Sequence, residues 1–325
     1  MVPTILGLHH VTATVDDAQA DLDFCIDLLG LRLVKKTVNF DNHNVYHFYY
    51  GDERGTPGTI WTTFPYKGWG VPPGQPGLGQ VTVTSFSVPA SSVSSWKQRL
   101  QSSGASVRDV PPVFGEEAIE IRDPSGLRLR LVGNSRDHRQ PWTGSGVGAE
   151  TAIRGLHSVT LTVANSGPTV ALMTELLGFD VVNQAEGAIR LAVNGDEPGK
   201  RVDVMDGSGF EPGRNGLGIV HHVAMAISTP EEQARLREEL VQLGHRVTEV
   251  LDRQYFLSIY FREPGGVLFE VATLKPGFTV DEALDELGRD LKLPSWEESD
   301  RAAILQRLPR VTYRGAAVGD SASVS

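Results

Sequence analysis

Cysteine is nearly absent from this chain: Cys25 stands alone among 325 residues. One thiol permits neither an intrachain disulfide nor a cysteine metal cluster, so any bound metal must be held by His, Asp or Glu. Positive charge is also scarce, with a formal net charge of −10 and no run of Lys and Arg. That balance excludes the phosphate-neutralising surface a nucleic-acid or anionic-membrane partner would require. Long apolar runs are missing too. No stretch approaches the roughly 18 residues of a membrane span, and MVPTILGLHH lacks a basic segment followed by an apolar one. A cytoplasmic protein that meets small molecules is expected, with self-association left open. The hydrophobic fraction of 40% is ample for a packed core.

What the chain does have is a fourfold repeat. Alternating strands read LHHVTATV from Leu8, VTVTSFSV from Val81, LHSVTLTV from Leu156 and VHHVAMAI from Val220. Each is followed by a capping residue and an apolar helical pattern. The caps are Asp16 or Asp17, Ser91 or Ser92, Asn165 or Ser166, and Thr229, the last with Pro230 and a capping-box Glu232. Helical spacing relates Leu22, Cys25 and Leu29, and likewise Leu236, Leu240 and Leu243. The helices should end at Gly30, Gly104, Gly178 and Gly244, where a left-handed residue is needed. Closing strands follow: IRDPSGLRLRLVG (121–133) aligns with FREPGGVLFEVAT (261–273), and TPGTIWTTF and EPGKRVDVM match more loosely. Gly/Pro-rich linkers lie at 65–80 and 134–155, which suggests an N-terminal domain, 1–140, of units one and two and a C-terminal domain, 150–325, of units three and four. VDEALDELGRDLKL (280–293) predicts a further helix, and the polar tail from Gly315 predicts disorder.

Stacking the units exposes the columns that carry chemistry. Units one and four have His9-His10 and His221-His222; unit three has His157-Ser158. Neighbours on a strand face opposite sides, so one histidine of each pair should enter a cavity. His10 shares its face with Thr12 and Thr14, and His222 with Ala224 and Ala226, which suits a cavity wall; His9 and His221 share theirs with Val11 and Val223, which suits packing beneath the helix. In the closing column Glu270 is a carboxylate in the apolar strand LFEVA, costly to bury unless a metal or an Arg such as Arg253 meets it. Its counterparts are Thr62 in unit one, Arg130 in unit two and Val204 in unit three, the outer two within a residue either way. Two histidines and one carboxylate form a facial triad with open positions. Only pairing unit one with unit four supplies all three, leaving units two and three to form a vestigial cup. His47 in VYHFYY could face either way; His43, His138 and His245 lie in turn-like or polar contexts, and His157 reads as support of the fold.

At these residues the chain resembles the vicinal-oxygen-chelate superfamily, and within it the ring-cleaving dioxygenases of the hydroquinone type. The likeness runs from about Leu6 to Leu293 and includes GLHHVT, TPGTIWTTFP, the RQP of 139–141, GLHS, HHVA and YFREPGGVLFE. The resemblance implies an α+β fold in which four βαβββ modules pair into two open β-barrel cups. It implies Fe(II), with Mn(II) as the alternative, on His10, His222 and Glu270, and outer residues His9, Thr12, His221, Arg253 and Tyr260. The activity implied is insertion of O₂ into an aromatic diol, a para-hydroquinone ahead of a catechol. In such a reaction His221 or His9 could accept a proton, Tyr260 could hydrogen-bond a ring oxygen, and Arg253 could stabilise anionic charge or form a surface ion pair with Asp252 or Glu249. A glyoxalase-type isomerase, which commonly adds a fourth ligand where Thr62 stands, and a non-catalytic binding protein of the same fold are the alternatives.

Overall fold

The computed structural model describes residues 5–185 and 187–314. Unit one contributes β1 (Ile5–Val15), α1 (Ala18–Leu22), β2 (Arg32–Asn39), β3 (Asn42–Gly51) and β4 (Ile60–Pro65). Unit two follows with β5 (Gln80–Pro89), α2 (Val93–Ser102), β6 (Val107–Val113), β7 (Glu116–Arg122) and β8 (Arg128–Asn134). Unit three comprises β9 (Gly155–Val163), α3 (Ser166–Glu175), β10 (Asp180–Ala185), β11 (Ala188–Ala192) and β12 (Arg201–Asp206). Unit four comprises β13 (Ile219–Ile227), α4 (Pro230–Gln242), β14 (Leu251–Asp252), β15 (Phe256–Arg262) and β16 (Leu268–Pro276). The βαβββ pattern thus occurs four times.

Two eight-stranded sheets result, in the orders β14-β15-β16-β13-β1-β4-β3-β2 and β10-β11-β12-β9-β5-β8-β7-β6, each curled as a half-barrel. The first joins units one and four through antiparallel β1 and β13; the second joins units two and three through β5 and β9. Both sheets therefore cross the boundary between the sequence halves. Arg139 of the RQP motif fastens units one and three together: it pairs with Asp137 and donates to the carbonyls of Gly58 and Leu156.

Local signals explain the helices. Asp17 accepts from Ala20 N, Asn165 from Gly167 N and Thr229 from Glu232 N, whereas Ser92 makes no cap bond because a 3₁₀ turn, Ala90–Ser92, precedes α2. The four glycines that end the helical segments all have positive φ, from 74° to 87°. After one turn α1 widens into a π-helical stretch, Asp23–Leu28, that still buries Leu22, Cys25 and Leu29. Leu236 and Leu240 are buried, but Leu243, at the C-cap of α4, is exposed and leaves the apolar stripe.

The segment 280–293 is not the continuous helix its pattern predicts. It runs as 3₁₀ turns and extended chain along β2, with a bridge between Lys36 and Leu291 and with Leu287, Leu291 and Leu293 buried. Two features override the helical propensity. Buried Lys35 binds Asp281 and Glu282, and Gly288 (φ 79°) lies so close to the Leu33 carbonyl that a Cβ would sit 2.0 Å from it. A short helix, α5 (Arg301–Arg307), comes later. The tail expected to be disordered lies outside the described residues.

Candidate metal centre and substrate cavity

The register aligns the chemical columns of the four units. Thr12 pairs with Thr62 and Ala224 with Glu270, so Thr62 and Glu270 are equivalent; Ser85 pairs with Arg130 and Thr160 with Asp203. The unit-three counterpart is therefore Asp203, one residue before the expected Val204, because the loose EPGKRVDVM match does not fix the pleat.

The histidine pairs depart from simple alternation. Between Leu8↔Met225 and His10↔Ala224 the register skips His9, and between Thr12↔His222 and Ala13↔Val220 it skips His221. The second sheet skips Thr82 and His157 at the same places. Each first strand carries a bulge there, and a bulge re-aims its side chain. His9 and His221 consequently turn toward their neighbours instead of packing under the helices: His9 Nδ1 lies 2.9 Å from His10 Nδ1, and His221 Nδ1 lies 2.7 Å from His222 Nδ1.

Nitrogen and oxygen ligand atoms of His10, His222 and Glu270 lie within 4.8 Å of one another, all three residues buried. The Glu270 carboxylate accepts a short hydrogen bond from Ser258 at Oε1. Its Oε2 accepts no hydrogen bond among the described residues, yet stands 3.2 Å from His10 Nε2 and 2.9 Å from His222 Nε2. Burial drives the His9 pKa down to about 3, so its ring is neutral, and it donates to the Thr273 carbonyl. His9 Nδ1 is then an acceptor, His10 Nδ1 carries a proton, and His10 Nε2 presents a lone pair. Lone pairs meeting around an orphaned buried carboxylate oxygen are a donor set that a divalent cation fits.

Beside the triad lies a cavity of about 390 Å³, lined by His10, His221 and His222 and walled by aromatic and aliphatic side chains including Phe40, Phe64 and Phe256. Tyr260 pairs with Glu270 across β15 and β16, its ring 5.6 Å from that of His222. Burial and Glu270 push its phenol pKa up, so the hydroxyl keeps its proton. Arg253 donates from Nε to the Tyr260 hydroxyl at 3.3 Å and binds Asp41, while Glu249 pairs with Arg237. Thr12 is buried behind the cavity, accepting from Thr62, which His47 contacts at 2.9 Å.

His47 thus lines the cavity; His43 pairs with Glu297 and His138 is exposed at the surface. Sequence reasoning missed Ser258 and Asp41. Ser258 sits two residues before Tyr260 and shares its face, a signal alternation carries; Asp41 lies in a hairpin with no pattern to mark it.

The second cup is filled instead of open. Val83 and Ser158 occupy its histidine columns, Arg130 and Asp203 its carboxylate columns. Arg190 forks onto Asp203 at 2.7 and 2.9 Å and reaches Glu116, which also binds Arg201 and His157. Only about 20 Å³ remains. The guanidinium groups of Arg190 and Arg201 neutralise the carboxylates there.

The sequence pattern of the glyoxalase/bleomycin resistance protein/dioxygenase superfamily matches residues 7–131 and 155–271. MhqE of Bacillus subtilis, whose name assigns it provisionally to the ring-cleaving dioxygenases, is 42% identical over 94% of this chain and 99% of its own. A chlorohydroquinone/hydroquinone 1,2-dioxygenase of Sphingobium indicum is 34% identical over 93% and 95%. The crystal structure of a B. subtilis protein assigned provisionally as a dioxygenase superposes with a TM-score of 0.91 at 38% identity, covering 96% of this chain and 99% of that one. Glyoxalase I from Zea mays shares the fold, with a TM-score of 0.61 at 14% identity over 82% and 92%. Among the described residues no helix is long and apolar enough to cross a membrane. By pattern, by identity along nearly the whole chain and by architecture, the chain belongs to the glyoxalase/bleomycin resistance protein/dioxygenase superfamily.

Proposed function

We propose that this protein is an Fe(II)-dependent dioxygenase that opens the ring of a para-hydroquinone-type diol, with His10, His222 and Glu270 as the metal ligands. One observation carries the reading: three ligand atoms converge beside a cavity of ring size with aromatic walls, and His10 and His222 line that cavity. Held by His10, His222 and Glu270, such a metal would supply Lewis-acid activation of a phenol and a path for electrons to O₂.

The chain's own residues do the rest. His9 and His221 hold the ligand imidazoles in the tautomer that turns Nε2 toward the metal. They are not equivalent beyond that. His9 is buried and committed to the Thr273 carbonyl, whereas His221 lines the cavity, where the Nε2–H that this tautomer leaves can donate to a diol oxygen. Tyr260 receives Arg253 Nε–H on its oxygen, which leaves its own proton to donate toward the ring oxygen. Arg253 stabilises negative charge through that phenol. Thr12, through Thr62 and His47, fixes the wall behind the ligand strands.

The isomerase alternative meets a specific obstacle. The fourth-ligand position holds Thr62, whose hydroxyl is already engaged by Thr12 and His47. Anaerobic reconstitution with Fe(II), followed by O₂-uptake assays on hydroquinones and catechols, tests the proposal. Stoichiometric O₂ consumption with a hydroquinone is expected; no uptake with any diol, together with isomerisation of a glutathione hemithioacetal, would move the protein to the isomerase class.

A further inference from the structure

Among the described residues lining the cavity, Asp41 and Arg253 carry the formal charges, and they are paired with each other across the cavity. Asp41 stands on the hairpin between β2 and β3, and Arg253 on the turn between β14 and β15, so the pair joins unit one to unit four. Both sides are built to hold it. The Asn39 side chain accepts from Asp41 N and donates to the Tyr66 hydroxyl, and Arg253 N donates to the Phe256 carbonyl while Gln254 turns at φ 66°. The guanidinium forks onto the carboxylate, Nη1 to Oδ1 at 3.3 Å and Nη2 to Oδ2 at 3.0 Å, and spends Nε on Tyr260. Arg253 is mostly buried whereas the Asp41 side chain is 72% exposed, so the aspartate presents its negative charge on the solvent side.

We propose that Asp41 is a specificity-determining residue: by neutralising Arg253 and placing a negative charge at the cavity mouth, it makes the cup take uncharged dihydroxybenzenes with apolar substituents and reject carboxylated ones. The inference rests on the diol-cleaving reading of this cup and names its substrate class. A ring carboxylate held away from the metal ligands needs a cationic side chain, and among the described residues lining the cavity that side chain, Arg253, is committed to Asp41. It would have to displace Asp41 or lie against Phe40, Phe64, Leu251, Phe256 and Leu268, surfaces that stabilise an alkyl or halogen substituent and leave a carboxylate without a partner. Like charge at the mouth also slows the approach of an anion, an effect that salt screens.

The test compares wild type, Asp41→Asn and the double variant Asp41→Asn/Arg253→Gln, each loaded with Fe(II). Two ratios are read: kcat/KM for 2,5-dihydroxybenzoate over that for hydroquinone, and, by calorimetry, affinity for benzoate over that for phenol. In Asp41→Asn both ratios rise about fivefold, in the double variant the rise disappears, and in wild type the discrimination narrows as potassium chloride is raised. Unchanged ratios in Asp41→Asn, or a rise that persists without Arg253, overturn the inference. The binding arm needs no turnover. If no diol is cleaved by wild type, the ring-cleavage reading fails, and the benzoate-to-phenol ratio still decides whether Asp41 selects by charge.

Discussion

If the metal belongs to units one and four, its removal must register as lost stability that depends on Glu270 and not on His157. Glu270 Oε2 is buried against the Nε2 atoms of His10 and His222 and accepts no hydrogen bond among the described residues, so a cation bound by these three groups would compensate their clustered lone pairs. A ligand that binds the folded state alone, at a thousand times its Kd, adds about 4 kcal/mol. Unfolding entropy of about 2.1 cal/mol/K per residue gives roughly 0.7 kcal/mol/K for 325 residues, so the metal should raise Tm by about 6 °C. Scanning calorimetry of wild type with Fe(II) under anaerobic conditions, and again after chelation, measures the difference. Glu270→Ala, His10→Ala and His222→Ala should each lose both the bound metal and most of that increment. His157→Ala is the control: its loss strips hydrogen bonds from Glu116, Arg201 and Ser158 and should cost about 1–3 kcal/mol in either state, yet the increment should survive. Full metal content and an undiminished increment in Glu270→Ala or His10→Ala would refute the reasoning, as would loss of the increment in His157→Ala.

Tyr260→Phe should retain iron and fold, since the hydroxyl touches Arg253 and no ligand atom belongs to it; kcat on the best diol should fall about 10²- to 10⁴-fold if the phenol is the proton donor, against roughly 10- to 100-fold for a supporting contact, and a wild-type kcat would make it a packing residue. Asp21, on the buried face of α1, accepts from Tyr50 and Thr63, and burial raises its pKa from 3.8 to about 6. Because the folded-state value lies above that of the unfolded chain, its contribution to stability is whole below about pH 4 and is lost as pH rises through about 6, a change on the order of 3 kcal/mol. Urea unfolding across that range should show this decline in wild type and a flatter profile in Asp21→Asn; parallel profiles would contradict the assignment.

The repeat was written in the sequence because each unit must obey local chemistry by itself. Alternation set the four first strands, side-chain caps at Asp17, Asn165 and Thr229 set helix starts, and glycines with positive φ set helix ends, all decided within a few residues. Comparing columns then singled out His10, His222 and Glu270, and since only units one and four offer the full set, it also gave the pairing of units that the sheets display. Elsewhere the chain could not be read locally. Strand parity turned His9 and His221 away from the cup, but the bulges that bring them back exist only through the pairing of β1 with β13, a register between residues over 200 positions apart. The acidic, leucine-spaced stretch at 280–293 has helical propensity; buried Lys35 and the Leu33 carbonyl against Gly288 draw it out along β2. Asp203 and Arg190 become a closed ion pair, and Asp41 meets Arg253, because the sheets bring together charges that nothing in the intervening chain relates. Periodicity and turn chemistry are properties of neighbours and are legible in order along the chain, whereas electrostatic partnership and register are properties of the closed cups, decided when the half-barrels form.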